Sequence, residues 1–368
     1  MKEFFAKRPG MILTGVLIGL GAALLAWFGN PKNMGLCMAC FERDLAGALG
    51  MHRADAVQYL RPEIPALLLG AFCAALIAGE WKPRGGSSTM VRFAMGLLAA
   101  FGALVFLGCP WRGLLRLAGG DLNAIVGLGG LAIGIGVGAL FIRGGFSLGR
   151  NHPARSASGF VAPILALALL GLLLFNVIAP GGALFSSVKG PGAMRAPVLI
   201  SIAVAFAVGI LAQRSRFCTV GAFRNFFLTR DTVLLTGLAV LVLVAFAFNL
   251  ATGAFRLGFS GQPISHANHL WNALGMMLAG LAYTLGAGCP GRQLVLAGEG
   301  DHDASVFVIG MIGGAALAHN FAAVAKPDAL VDGAWVTGGP GGFGMAAVLF
   351  GLALCLAIGF GLREKRPG

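Results

Sequence analysis

Hydrophobic positions fall into ten long runs, near residues 11–29, 62–80, 90–108, 122–142, 159–180, 196–212, 231–252, 268–287, 303–325 and 341–362, divided by short polar stretches. Each run is long enough to cross about 30 Å of hydrocarbon at about 1.5 Å per residue. The alternation of a membrane barrel is absent, and the runs are far longer than a barrel strand requires. The pattern predicts an all-α polytopic membrane protein with about ten transmembrane helices.

Four further segments, 37–49, 109–119, 218–228 and 289–298, are mildly apolar but too short to cross. They read as re-entrant half-helices, which are tolerated at membrane depth only where protein or a polar cavity surrounds them. The stretch 144–158 reads as a linker, 181–195 and 326–340 as looser connections, and none is long enough for a soluble domain.

Composition agrees with the pattern. Of 368 residues, 57% are hydrophobic and 11% charged, with mean hydropathy +0.85. The charged fraction is about half that of a soluble chain. The N-terminus resembles a signal sequence, but its apolar run is longer than a usual signal core and lacks a clear cleavage site, so it reads as a retained span. The net charge of +13 does not point to nucleic acid, because the basic residues sit between apolar runs without aromatic interleaving. With the N-terminus inside, the inside segments carry Lys2, Lys7, Arg8, Lys82, Arg84, Arg92, Arg143, Arg150, Arg155, Arg214, Arg216, Arg224, Arg230, Arg292, Arg363, Lys365 and Arg366, 17 of the 27 basic residues. That bias predicts cytoplasmic termini.

Two motifs recur. Gly108-Cys109-Pro110-Trp111-Arg112 leads to Gly120-Asp121, and Gly288-Cys289-Pro290-Gly291-Arg292 leads to Gly300-Asp301. More loosely, Cys37, Arg43 and Asp44 match Cys218, Arg224 and Asn225. The offsets agree at 180 for Cys109 and Cys289 and 181 for Cys37 and Cys218. An offset of about five spans turns the second copy over, which makes an inverted repeat. Residues 1–158 hold the first half and the linker, the fifth span near 159–180 completes that half, and 181–368 form the second.

Proline suits the first position of a helix, which makes Cys109 and Cys289 N-caps beside free amides and the positive end of the helix dipole. Such a place binds anions and favours thiolate character. Cys37, Cys109, Cys218, Cys289 and the extra Cys40 therefore read as a substrate pathway, with Gly108, Pro110, Arg112, Gly288, Pro290 and Arg292 supporting an anion site. Arg112 and Arg292 fit snorkelling to headgroups as well. Cys73 and Cys355 lie in plain spans and read as packing. Asp121 and Asp301 read as helix caps. Glu42 and Asp44 are expected to pair locally with Arg43. His266 and His269 lack zinc spacing, and His319-Asn320 reads as helix–helix hydrogen bonding. Trp27, Trp81, Trp111, Trp271 and Trp335 read as interfacial anchors.

The stretches MGLCMACFERDLAGALG (34–50), QYLRPEI (58–64), FLGCPWRGLLRLAGGDLNAIVG (106–127), AQRSRFCTVGAFR (212–224), GQPISHANHLWN (261–272) and GCPGRQLVLAGEGD (288–301) carry a resemblance. The chain resembles the YeeE/YedE sulfur-transport family of bacterial inner-membrane proteins, most closely the YedE/FdhT-type proteins of selenium metabolism. The resemblance implies transport, and no cofactor is expected. It implies that Cys37, Cys109 and Cys289 hand a sulfur anion along by S–H···S contacts, with Cys218 in the fourth, repeat-related place. The selenium subgroup implies a selenium species instead. Three functions follow as expectations. The first is import of a small selenium or sulfur anion, with a soluble cytoplasmic sulfur or selenium carrier as a possible partner. The second is a thiol-redox enzyme using Cys37 and Cys40. The third is a partner-dependent membrane subunit.

Overall fold

The computed structural model describes residues 2–178 and 184–363. The end of the fifth apolar run, the start of the 181–195 stretch, and Lys365 and Arg366 lie outside them. The helices are α1 (Lys2–Ala6), α2 (Arg8–Trp27), α3 (Met38–Ala48), α4 (Glu63–Ile77), α5 (Thr89–Phe106), α6 (Pro110–Ala118), α7 (Asn123–Arg143), α8 (Ser156–Gly159), α9 (Val161–Ile178), α10 (Val198–Ser215), α11 (Thr219–Thr229), α12 (Val233–Ala251), α13 (His269–Leu285), α14 (Pro290–Gly298), α15 (His302–Asn320) and α16 (Gly342–Gly361).

Each apolar run becomes one long helix, and each of the four short segments becomes one short helix: α3, α6, α11 and α14. Among the described residues, eight helices are long and apolar enough to cross a membrane. The chain is thus an all-α polytopic membrane protein. Two long helices fall outside that set. The 15 residues of α4 span only about 22 Å, and α15 carries His302, Asp303 and His319. The linker and the 326–340 stretch hold short antiparallel ribbons: Arg84–Gly85 pairs with His152–Pro153, and Ala329–Val331 with Ala334–Val336.

The order long, short, long, long, short, long, long occurs twice, from α2 to α9 (setting aside the four-residue α8) and from α10 to α16. Packing repeats with it. α4 lies on α10 as α12 lies on α2, α7 on α13 as α15 on α5, and α3 on α15 as α11 on α7. Glycines make the close crossings: Gly130 and Gly134 meet the backbone of Ala273 and Met277, and Gly310 and Gly314 meet Phe93 and Leu97 in the same register one repeat later. A side chain at any of these would hold the backbones apart.

Equivalent helices run antiparallel. In α5 and α13, Arg92 donates to the Gly286 carbonyl (3.2 Å), while Gly102 meets Gly275 and Ala279. In α2 and α10, Gly21 meets Val204 and Val208, and Gly29 beyond α2 meets the backbone of Arg195. The second copy is therefore inverted relative to the first. The last helix of each copy breaks the pattern, with α9 on α4 but α16 on α13.

The short helices start where the long ones are forced to stop. Leu107 and Ala287, just past α5 and α13, both have left-handed backbone (φ 63° and 70°). That conformation ends a helix and is unfavourable for a residue with a side chain. It turns the chain into Cys109-Pro110 and Cys289-Pro290.

Candidate functional site

All four repeat-related cysteines are N-caps: Cys37 of α3, Cys109 of α6, Cys218 of α11 and Cys289 of α14. The Cys37 sulfur accepts from the Cys40 amide (3.4 Å), and the Cys218 sulfur from the Gly221 amide (3.2 Å). Pro110 and Pro290 occupy the first turns of α6 and α14. Gly108 and Gly288 leave room for the stems of Arg112 and Arg292, which pack where a Cβ would stand.

The structure joins the cysteines in two pairs. The Cys218 and Cys289 sulfurs lie 3.6 Å apart. The thiols of Cys37 and Cys109 interact in the same way. Each pair sits where two half-helices of one repeat copy meet tip to tip. The Cys109 sulfur lies beside the amides of Arg112 and Ala39, and the Cys289 sulfur beside those of Arg292 and Thr219. Two positive helix ends thus converge on each pair. All seven cysteines are free. Cys355 packs against the Met95 sulfur (3.9 Å) in the core, as a packing role requires, and Cys73 is half-buried on α4.

Tyr283 of α13, fully buried, lies within electrostatic reach of Cys37, Cys109, Cys289 and Glu42, members of both pairs among them. Trp111 is also buried, edge-on to Phe217 (5.7 Å) and against Gly291. This corrects the expectation of an interfacial anchor: the G-C-P motif carries Trp111 inward with α6. Trp27 at 61% and Trp335 at 43% exposure fit the anchor reading. Tyr283 Oη, Trp111 Nε1, Thr219 Oγ1, Gln293 Oε1 and both carboxyl oxygens of Glu42 are buried without a hydrogen-bond partner. Such orphans are uncommon in folded proteins; others, among them Gln262 Oε1, Asn272 Oδ1 and His302 Nε2, lie elsewhere in the protein.

Glu42 corrects a second expectation. Asp44 pairs with Arg43 (2.6 Å) and with Arg61 (2.8 Å), leaving Glu42 without a partner. Arg61 also donates to the carbonyls of Pro191 (2.7 Å) and Met194 (3.0 Å), contacts no local pattern could show. Asp301 caps α15 and pairs with Arg84 (2.9 Å), while Asp121 pairs with Arg116 (2.7 Å) at the equivalent corner. His319 stacks on His52 (4.4 Å), and Asn320 donates to the Met51 carbonyl (3.0 Å).

The two copies differ in access. A cavity of about 530 Å³ reaches Cys218 and is lined by Arg216, Arg224, Asn225 and Arg292, the last paired with Glu299 (3.3 Å). At the first copy the same place is filled. Arg112 is wholly buried, so it does not snorkel. It donates to the carbonyls of Leu107, Pro263 (3.2 Å) and Ile264 (3.0 Å), with a nitrogen 4.0 Å from the Cys40 sulfur. Arg116 holds Ser265 (2.6 Å), and His266 bonds the Val105 carbonyl (2.8 Å). Burial pulls the His266 imidazole below its ordinary pKa, which keeps it neutral under this loop. A larger cavity of about 660 Å³, beside Tyr59 and Arg195, is lined by none of the cysteines. Single-cysteine variants should accordingly differ in labelling. An impermeant maleimide should modify Cys218 from one face of the membrane only, and Cys37, Cys109 and Cys289 from neither. Equal labelling of all four would contradict a path closed on one side.

The site is thus a set of half-helix tips, paired buried thiols and an arginine-lined mouth inside a helical membrane protein. Residues 214–366 match the model of the sulphur transport family, which supports the YeeE/YedE resemblance. The chain is a multi-pass membrane protein. No curated protein matches it.

Proposed function

We propose that the chain imports a small selenium or sulfur anion across the bacterial inner membrane, passing it from the Cys37–Cys109 pair to the Cys289–Cys218 pair and out through the arginine-lined cavity. One observation carries this reading: each thiol pair lies between two converging helix N-termini, and the buried Tyr283 hydroxyl is within electrostatic reach of both pairs. Helix ends attract the anion's charge, and soft thiols suit sulfur or selenium over hard oxyanions. Two weak sites in sequence allow entry and release. The positive-inside bias puts both termini and the open cavity in the cytoplasm, where a soluble sulfur or selenium carrier would collect the anion. Thiosulfate, sulfide, selenite and selenide are the candidate cargoes.

Protection of Cys218 tests the reading. Saturating cargo should slow its alkylation several-fold, and chloride should not. Absence of protection by all four species would contradict it. A second reading, a thiol-redox enzyme, is favoured by the interaction between the Cys37 and Cys40 thiols. Cys40→Ala separates the two. It should keep flux within about threefold of the wild type if Cys40 only flanks the path, a barrier change of at most about 0.7 kcal/mol. Its complete loss together with an electron-acceptor activity would favour the enzyme.

A further inference from the structure

Glu42 stands five residues past the Cys37 cap, in a half-helix wholly surrounded by protein. Both of its oxygens are buried and without a donor. The nearby cations are engaged elsewhere. Arg43, on the same helix, is turned to Asp44 (2.6 Å), and Arg112 of α6 is held by the carbonyls of Leu107, Pro263 and Ile264. On the elements packed against α3, Glu63 of α4 accepts from Asn30 (2.7 Å), Arg92 of α5 bonds Ser87, and His319 of α15 stacks on His52. Cys289 caps α14, which also brings Gln293. The groups within electrostatic reach of Glu42 include Cys40 and the unpartnered Tyr283 hydroxyl. The repeat-related position holds Phe223, so the fold itself does not require an acid there.

A carboxylate in this place would have neither water nor a countercharge, whereas a neutral acid needs only modest hydrogen bonding. An anion arriving at Cys37 and Cys109 would meet a second negative charge in a dry site, where repulsion is far stronger than in water. We propose that Glu42 is a proton-binding site of the anion path: its protonated form admits the anion, and its carboxylate form excludes it. The step is a simple equilibrium. The carboxylate takes one proton from water to become the acid, no electrons move, and ionisation returns that proton to water. The acid's O–H offers the passing anion a donor in place of lost hydration. This inference rests on the anion-import reading.

The test uses the full chain in lipid, with thiosulfate as the probe, wild type beside Glu42→Gln. In the wild type, flux should fall as pH rises through the titration of Glu42, approaching about tenfold per pH unit. Glu42→Gln, fixed in the neutral form, should lose this fall, whatever its flux at low pH. A wild-type pH profile in Glu42→Gln would overturn the proposal. Infrared difference spectra read the site without transport. The wild type should show a protonated-carboxyl band at neutral pH that thiosulfate shifts and that Glu42→Gln lacks. A missing band, or one that thiosulfate leaves in place, would also overturn it. A shifted band without flux would sustain the proton site and defeat the import reading instead.

Discussion

Cys109→Ala and Cys289→Ala should each cut anion uptake by about 100-fold, a barrier increase of about 2.7 kcal/mol. Each substitution removes one sulfur from a pair held between two helix ends, so the anion loses a soft partner at a point where no water replaces it. The effect should be on flux and not on folding. Alanine leaves the backbone of both caps intact, because Pro110 and Pro290 hold the first turns whether or not a sulfur is present. Cys73→Ala and Cys355→Ala, outside the pairs, should leave uptake unchanged. Uptake by reconstituted protein, normalised to the folded fraction, checks all four. Equal losses in all four variants would mean that the thiols matter for packing alone.

Asp44→Ala should have the largest effect on stability. Asp44 is wholly buried between Arg43 and Arg61, which are themselves 2% and 0% exposed. Removing it strands two guanidinium groups in the protein interior, and breaking a buried pair of this kind costs about 3–5 kcal/mol. Set against a net stability of about 5–15 kcal/mol, that is enough to abolish most folded protein. Arg61 would also lose its hold on Pro191 and Met194, and with them the connection between the copies. The repeat offers a control. Asn225 occupies the matching place beside Arg224 in the open cavity, and Asn225→Ala should cost no more than about 0.5 kcal/mol. Thermal melting in detergent measures both. Equal melting temperatures would show that the buried cluster does not hold the first copy shut.

Much of this architecture was legible in the sequence, because membrane solvent imposes local rules. A run of apolar residues must become a helix in lipid, so all ten appear where hydropathy placed them. Proline after cysteine marked the two caps for a reason confined to one turn of backbone. The repeat offset announced the inversion that the antiparallel pairing of α5 with α13 displays.

What was not legible depends on contacts between distant segments. Spacing alone left open how the cysteines pair, and the structure matches Cys37 with Cys109 and Cys218 with Cys289. Proximity in sequence suggested that Glu42 and Asp44 share Arg43, but Arg61 arrives from beyond the half-helix and takes the second oxygen of Asp44. Trp111 looked like an anchor because it stands near a span end. Its burial follows from α6 turning back into the protein. Tyr283 carried a signal that could have been used: it is one of two tyrosines in the chain and lies within an apolar run.

The most direct measurement is uptake of thiosulfate, sulfide, selenite and selenide by purified wild-type protein in liposomes, beside Cys109→Ala and Cys289→Ala. The account predicts flux of at least one of these species and its loss in both variants. Folded wild-type protein that moves none of them, or variants that move them as fast as the wild type, would contradict it.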